Sequence, residues 1–485
     1  MLVKNINIKI IPILFIFLLA IVLRLYNINY EDFWTDEIFA FYTSEPGISF
    51  KGTLIRTLDS NFNCLFDFFL KGFHSLIGYD IHISRFFPFI ISILSLILFS
   101  LLLSKITSYP SLIFGLYILS INIFHIRYSI EVRSYILTFL LVIFFIFLNF
   151  KNKNDEHEYS LTRLILIILI SVLMLLSHAF TILILGSLIV YKFIKIYKYK
   201  KINNNEVFLI LGLISVSLLY LLVYLPINIK FADQLIGLSP HWIKQVKLSF
   251  YSNFFFSQYF GSRILGLIYL LSLIFLIIKF RGTIFKKLNI YSFFVILIVS
   301  SYSIPLIYGY LFGPILIGRY IMFVLIPIIC LLSHFIFLIN HKIIKYFVIT
   351  LICLTTTLNH LLFENTFKQF YKEVFYTKPQ IRDALKTINE SDVKYFSIKK
   401  IDAKEKNLNE AYENYIVKYL EKMKFEINFF NYQISNNTHD KFWVIDIRDA
   451  YKEDLSLSKN FDEYQTDQKK YFNSLELFLL KRKDN

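Results

Sequence analysis

Apolar runs long enough to cross a bilayer of about 30 Å recur near residues 10–26, 83–104, 109–125, 133–150, 162–177, 179–197, 206–225, 263–280, 290–308, 320–339 and 345–362. They predict about eleven transmembrane helices. The runs at 162–177 and 179–197 are parted only by Ser177-His178 and read as a tight hairpin. Between about 27 and 82 the pattern differs: Leu54, Ile55 and Leu58, then Leu65, Phe66, Phe69, Leu70, Phe73, Leu76 and Ile77, recur at helical spacing among polar residues. That spacing predicts amphipathic helices lying in the membrane interface. Beyond residue 362 the periodicity changes again. Phe367 to Asn389 reads as one or two helices interrupted by Pro379. Residues 408–424 read as a helix, and 393–398, 442–447 and 475–480 read as strands. The expected organisation is a transmembrane domain over 1–362 and a small soluble α/β domain over 363–485.

Composition agrees. Of 485 residues, 56% are hydrophobic and 18% aromatic, with a mean hydropathy of +0.56, which excludes an ordinary soluble globular protein. Lys4 and Lys9 precede the first apolar run and no small-residue cleavage site follows, so that run reads as an uncleaved first helix. Lys/Arg residues concentrate on one set of short loops, among them Lys192, Lys195, Lys198, Lys200 and Lys201. By the positive-inside rule this predicts a multi-pass protein of the plasma or inner membrane, with a cytoplasmic N-terminus and an extracytoplasmic C-terminal domain. The net charge of +16 is then mostly an inner-leaflet belt, since residues 364–485 are nearly balanced. No nucleic-acid partner is implied. Cys330 and Cys353 fall inside apolar spans and Cys64 stands apart, so neither a disulfide framework nor a cysteine metal site is suggested.

The acids crowd the first outer loop, as Glu31, Asp32, Asp36, Glu37, Glu45, Asp59, Asp67 and Asp80. In Trp34-Thr35-Asp36-Glu37 two adjacent carboxylates sit where an apolar helix surfaces. Acids at a membrane edge are functional candidates, although they could equally solvate a helix end. Arg85, in Ser84-Arg85-Phe86-Phe87-Pro88, could snorkel to headgroups or bind a phosphate. In Tyr128-Ser129-Ile130-Glu131-Val132-Arg133-Ser134-Tyr135, Glu131 and Tyr135 are four apart and share a face if helical. Glu131 could pair locally with Arg133, or hold a metal or substrate beside a guanidinium able to grip phosphate. His178 at the hairpin and Arg319 in Gly318-Arg319-Tyr320 read as the same side of the membrane. Each also has a plain structural role open to it, as a hydrogen-bonder and a topology anchor. The 226–262 loop, with Ser239-Pro240-His241-Trp242 and Phe250-Tyr251-Ser252-Asn253-Phe254-Phe255-Phe256, reads as hugging the membrane over a lipid site. The sequons at Asn389 and Asn436 matter only in a glycosylating secretory pathway.

Taken in order, Trp34-Thr35-Asp36-Glu37, Asn61 to Lys71 with Gly78, Ser84 to Pro88, Tyr128 to Tyr135, Ser177-His178-Ala179-Phe180 and Gly318-Arg319-Tyr320 resemble the GT-C superfamily of membrane glycosyltransferases. The similarity, over about residues 10–340, is to the family 39/83-like bacterial branch related to protein O-mannosyltransferases and lipid A aminoarabinose transferases. The family's His/Asp-x-Pro-Pro-Leu piece reads Asn61-Phe62-Asn63-Cys64-Leu65 here, without either proline. The resemblance implies a GT-C-like fold and inverting transfer of a sugar from a polyprenyl-phosphate donor, on the non-cytoplasmic face, to a lipid, glycan or protein acceptor.

An acceptor hydroxyl is a poor nucleophile and needs a carboxylate to take its proton; Asp36, with Glu37 beside it, is the candidate. The leaving phosphate needs cations, for which Arg133, Arg319, Arg85 and Tyr135 are the candidates. Glu131, with Glu37 or His178, could hold a divalent metal ion of unknown identity. The expectation is that acids from two outer segments, Asp36 and Glu131, converge at the lipid–water boundary. A transporter or flippase is the competing class, but such proteins place charge near the midplane and show repeated halves, and no repeat is evident here. A catalytically silent protein that binds polyprenyl phosphate is the third reading.

Overall fold

The computed structural model describes residues 9–26, 28–59, 63–150, 159–200, 203–226, 243–286, 288–362, 378–398, 406–430, 439–447, 461 and 463–483. Asn61-Phe62, Ser239 to Trp242, the Phe367 side of the expected 367–389 helices and the Asn436 sequon lie outside them. The chain forms two compact units. One holds residues 1–26, 57–66 and 86–373, the other 27–56, 67–85 and 374–485. Against the expected boundary at 362/363, the C-terminal part of the second unit begins at Val374. That boundary does not anticipate that most of the first-loop segment belongs with that part.

The first unit is helical. Its main elements begin with α1 (Ile10–Leu25). The next four helices of this unit are α6 (Phe86–Ile106), α7 (Tyr109–Ser120), α8 (Ile123–Ser129) and α9 (Tyr135–Asn149). Then come α10 (Leu161–Ser177), α11 (Ile182–Tyr199) and α12 (Asn204–Leu219), followed by helices Arg263–Lys279, Ile290–Leu311, Leu325–Phe337 and Lys342–Leu362. Every expected apolar run is therefore helical. Among the described residues, however, 6 helices are long and apolar enough to cross a membrane, or 7 if the α7–α8 pair, bent by 57°, is one span. Ile10–Leu25, Tyr135–Asn149 and Leu161–Ser177 are apolar but shorter. Hydropathy located the helices and could not fix how many reach across.

The unit is built around its C-terminal spans. In the Leu325–Phe337 helix Leu325 through Ile336 are all buried, and α7 approaches it closely at Gly115. A Cβ there would lie 2.9 Å from Leu103 Cδ1 and 3.1 Å from Ser333, so glycine lets the backbones meet. Asn204–Tyr224, by contrast, is only 22% buried within its apolar window, as suits a lipid-facing helix. The α7–α8 bend is held by a cation. Arg24, fully buried at the end of α1, donates to the Ser120 carbonyl at 2.9 Å and to His125 Nδ1 at 2.8 Å, satisfying a carbonyl left open where α7 stops. With Nδ1 accepting, His125 Nε2–H is left to donate to Ser95 Oγ at 3.1 Å.

The second unit holds a five-stranded sheet of order β2-β1-β3-β5-β4. The strands are β1 (Tyr395–Ile398), β2 (Asn428–Phe429), β3 (Lys441–Ile447), β4 (Tyr464–Phe472) and β5 (Leu475–Arg482). β1 pairs in parallel with β2 and β3, while β5 is antiparallel to β3 and β4. β1, β3 and β5 are the three strands the sequence predicts. β4 was missed because its residues 465–471 are polar and exposed, with no apolar alternation to mark them. The helix expected at 408–424 is Lys406–Met423, and a helix at Ile381–Glu390 starts just past Pro379.

From the first-loop segment come α2 (Thr35–Thr43), α3 (Phe50–Asp59), α4 (Leu65–Ile77) and the single turn α5 (Ile81–Ser84). The amphipathic helices expected there are thus present, and Phe50, Phe69, Leu76 and Ile77 are exposed. The Lys406–Met423 helix clasps this segment with one face. Tyr412 Oη lies 2.7 Å from Thr35 Oγ1, Tyr415 Oη accepts from Phe33 N at 3.3 Å and its ring stacks on Phe33 at 5.5 Å. Lys422 reaches the Asp80 carboxylate at 2.6 Å.

His74 gives this unit a pH dependence. Its ring, 2% exposed, meets Ser44 Oγ at 3.1 Å through Nδ1 and Ser84 Oγ at 2.8 Å through Nε2. Burial outweighs the bond to Ser44 and the charge of Asp80, and lowers the pKa from 6.5 to about 4. The unfolded chain therefore binds the extra proton between these values, so stability is present above 6.5 and lost as pH falls towards 4. Acidifying from pH 7 to 5 should cost about 2 kcal/mol from this residue. In thermal or urea unfolding followed against pH, His74→Gln should flatten that slope.

Candidate functional site

Each sequence-predicted residue is placed within its own unit. In the second unit, Trp34 N-caps α2, and Glu37, at its third position, accepts from the Trp34 amide at 3.3 Å. Glu37 is fully buried, and its carboxylate meets Lys378 Nζ at 2.5 Å and Arg85 Nη2 at 3.9 Å. Arg85, also buried, donates to the carbonyls of Ile28 at 2.8 Å and Asp32 at 3.2 Å, with its guanidinium 5.0 Å from the Phe33 ring. These contacts hold the fold of this unit together. Asp36, one position before Glu37, is partly exposed.

Asp32, Lys378, Arg382 and Tyr419 were not singled out from the sequence. Arg382 pairs with the Asp32 carboxylate at 3.3 Å, donates to it through its own amide at 2.7 Å and reaches Tyr419 Oη at 2.6 Å. Burial raises the Asp32 pKa, with Arg382 and Arg85 opposing. The only signal in the sequence was the crowding of acids in the first loop. Lys378 and Arg382 lie 341 and 350 positions from Glu37 and Asp32, beyond any local pattern.

The first unit brings together Arg133, Tyr135, His178 and Arg319 from three distant segments. Arg133 lies in the connection between α8 and α9, where its amide donates to the Glu131 carbonyl at 2.7 Å. Tyr135 opens α9. His178 caps the 3-10 turn Ala179–Thr181, its Nδ1 accepting from the Phe180 amide at 3.3 Å, which accounts for the break in the hairpin. Arg319 sits in the 3-10 segment Gly318–Val324. Ring centroids of Tyr135 and His178 are 5.8 Å apart, those of His178 and Tyr320 5.1 Å, and those of Tyr135 and Tyr128 5.1 Å. The Arg319 guanidinium lies 5.8 Å from the rings of both Tyr135 and Tyr320. Arg133 and Arg319 both act electrostatically on His178, while Glu131, Arg127 and Arg319 act on Tyr128. The Arg319 guanidinium thus sits in an aromatic cradle, and Arg133 enters the same region two positions before Tyr135, a grouping of cations suited to an anion.

The same arrangement does not fit the expected divalent metal. Among the described residues no three His, Cys, Asp or Glu side chains come together as a ligand set. His178 uses Nδ1 on the backbone, and Glu37 is committed to Lys378. Positive charge from Arg133 and Arg319 nearby in the chain fold opposes a second cation at the half-buried imidazole.

No protein-family model matches the sequence, and no curated protein does. Among solved structures, the chain aligns with a crystal structure of the Archaeoglobus fulgidus oligosaccharyltransferase in complex with Zn and sulfate. The alignment covers 94% of this chain and 71% of that one at 10% identity, with a TM-score of 0.49. The archaeal oligosaccharyltransferase AglB from the same organism, in complex with an inhibitory peptide and a dolichol-phosphate, aligns over 90% and 69% at 10% identity, with a TM-score of 0.48. A third structure, tethered with an acceptor peptide containing the NVT sequon, aligns over 90% and 68% at 10% identity, with a TM-score of 0.49.

The two neighbouring acids of α2 should respond differently to neutralisation. Glu37→Gln leaves Lys378 and Arg85 without their buried anion and should cost about 3 kcal/mol of stability. Asp36→Asn should stay within about 0.5 kcal/mol of the parent. Unfolding midpoints of the two variants in detergent check this.

Proposed function

We propose that the protein is a membrane glycosyltransferase that moves a sugar from a polyprenyl-phosphate donor to a lipid, glycan or protein acceptor on the non-cytoplasmic face. The observation that carries this reading is the Arg319 guanidinium against the Tyr135 and Tyr320 rings beside His178, with Arg133 two positions before Tyr135 in the chain. A polyprenyl phosphate presents one anionic group on a chain that water rejects, and helices with lipid-facing flanks suit that ligand. The GT-C resemblance of the motif order points the same way.

In this proposal the acceptor oxygen attacks the anomeric carbon while its proton passes to the Asp36 carboxylate. The bond from that carbon to the phosphate oxygen breaks, its electron pair leaving with the phosphate, and polyprenyl phosphate is released with inversion at carbon. Arg133 and Arg319 offset the charge that develops on the phosphate, with the Tyr135 hydroxyl beside them. Arg85 and Glu37, proposed from the sequence as a phosphate contact and a second acid, are better explained as structural, since the Glu37 carboxylate meets both Arg85 and Lys378. No step is assigned to a metal.

Transfer from radiolabelled polyprenyl-phosphate sugars by purified protein in lipid tests the assignment. Asp36→Asn should lower the rate by about 100-fold or more while donor binding persists, and Arg133→Ala or Arg319→Ala should lower it by a similar factor with weakened binding. Undiminished transfer by Asp36→Asn would remove that residue from the mechanism. Donor binding without transfer by the parent protein would instead support the silent-binder alternative.

A further inference from the structure

We infer that Tyr259 is a positioning residue that sets Arg319 relative to Arg133, and so determines how well one phosphate is gripped by both; this rests on the reading of those arginines given above. Tyr259 has no exposed surface and lies in the short helix Phe256–Phe260. Its hydroxyl donates to the Gly318 carbonyl at 3.1 Å, immediately before Arg319. Its own carbonyl accepts from Asn122 Nδ2 at 2.8 Å. Asn122 is the N-cap of α8, holding the His125 amide at 2.9 Å, and α8 leads directly to Glu131 and Arg133. The Tyr259 ring also meets Phe124 of α8 edge-on at 4.9 Å. One residue therefore joins the two segments that supply the cations.

The corner that delivers Tyr259 is built against the usual backbone preference. Phe254 and Phe255 both adopt left-handed φ, 45° and 63°, a region bulky residues rarely enter and hold only when their surroundings impose it. Those surroundings are present: Tyr302 Oη donates to the Phe254 carbonyl at 2.8 Å, and the Phe250 ring packs edge-on against both phenyl rings, at 5.3 Å and 4.8 Å. A Cβ on Gly318 would lie 2.6 Å from Gln258 Oε1 and 3.4 Å from Phe255 Cγ, so the turn before Arg319 is seated closely on this corner. Strained backbone of this kind clusters where a functional group is held in place.

The test measures binding of a polyprenyl phosphate to the full chain in lipid nanodiscs, alongside the thermal midpoint. Tyr259→Phe keeps the ring and removes the hydroxyl, and should weaken binding by about 5-fold with little change in midpoint. In an Arg319→Ala background the same substitution should have no further effect, because the group it positions is gone. Wild-type binding by Tyr259→Phe while Arg319→Ala binds poorly would overturn the inference alone, as would effects that simply multiply. Wild-type binding by Arg133→Ala and Arg319→Ala would overturn the phosphate reading and this inference together. Should Tyr259→Phe fail to fold, Tyr302→Phe, which frees the Phe254 carbonyl, should weaken binding by about 3-fold, and unchanged binding there would overturn the proposal.

Discussion

A carboxylate with no exposed surface must find a cation, and for Glu37 that cation is Lys378, 341 positions further along the chain. The rest of the second unit follows from that requirement. A buried charge left unpaired costs several kcal/mol, so the segment bearing Glu37 is held wherever Lys378 and Arg85 can reach it. The Lys406–Met423 helix then adds Tyr412, Tyr415 and Tyr419 along one face, spaced three and four apart as a helix requires. The β4–β5 turn secures the strand end of the same region: Asn473 donates its amide to Gln380 Oε1 at 2.7 Å and its side chain to the Lys378 carbonyl at 2.9 Å. Residues around the first acids and residues near the C-terminus are therefore parts of one folding unit.

Charge is handled differently in the first unit. Arg24 is buried and donates through its terminal nitrogens to the Ala20 and Ser120 carbonyls and to His125, which turns a cation into a clamp on the α7–α8 bend. Near Arg133 and Arg319 the cations outnumber the nearby carboxylate, Glu131, and the neighbours are aromatic rings. Rings accept a cation on their faces at modest gain, and the Arg319 guanidinium lies 5.8 Å from those of Tyr135 and Tyr320. The difference between these two solutions separates a structural arginine from a candidate binding arginine. Neither hydropathy nor residue type distinguishes them.

The site residues were legible to different depths for identifiable reasons. Arg133, Tyr135, His178 and Arg319 stand out because each interrupts or borders an apolar run, where a polar side chain is conspicuous, and these are the residues the fold gathers. Glu37 and Arg85 were conspicuous for the same reason, yet the fold uses them on each other. Tyr259 was invisible: in a run as aromatic as Phe250 to Phe260 one more ring carries no signal, and its importance arises from the two segments it touches. For the metal expected at Glu131 and His178, the described residues hold no group of three ligand-type side chains, and residue type alone gave no sight of the charges of Arg133 and Arg319 around them.

The sequence by itself determined that this is a helical membrane protein, where each apolar run lies, and that a mixed α/β part follows, because hydrophobic runs and period-two alternation are local properties. The tertiary structure decided how many helices have the length to span, since caps and bends such as the one at Ile121-Asn122 shorten an apolar run without changing its hydropathy. It also decided that most of the first-loop acids, Glu37 and Asp32 among them, belong with the C-terminal sheet, and which arginines are spent on the fold. Those outcomes depend on partners hundreds of residues apart, and burial makes their pairing obligatory only once the chain has folded.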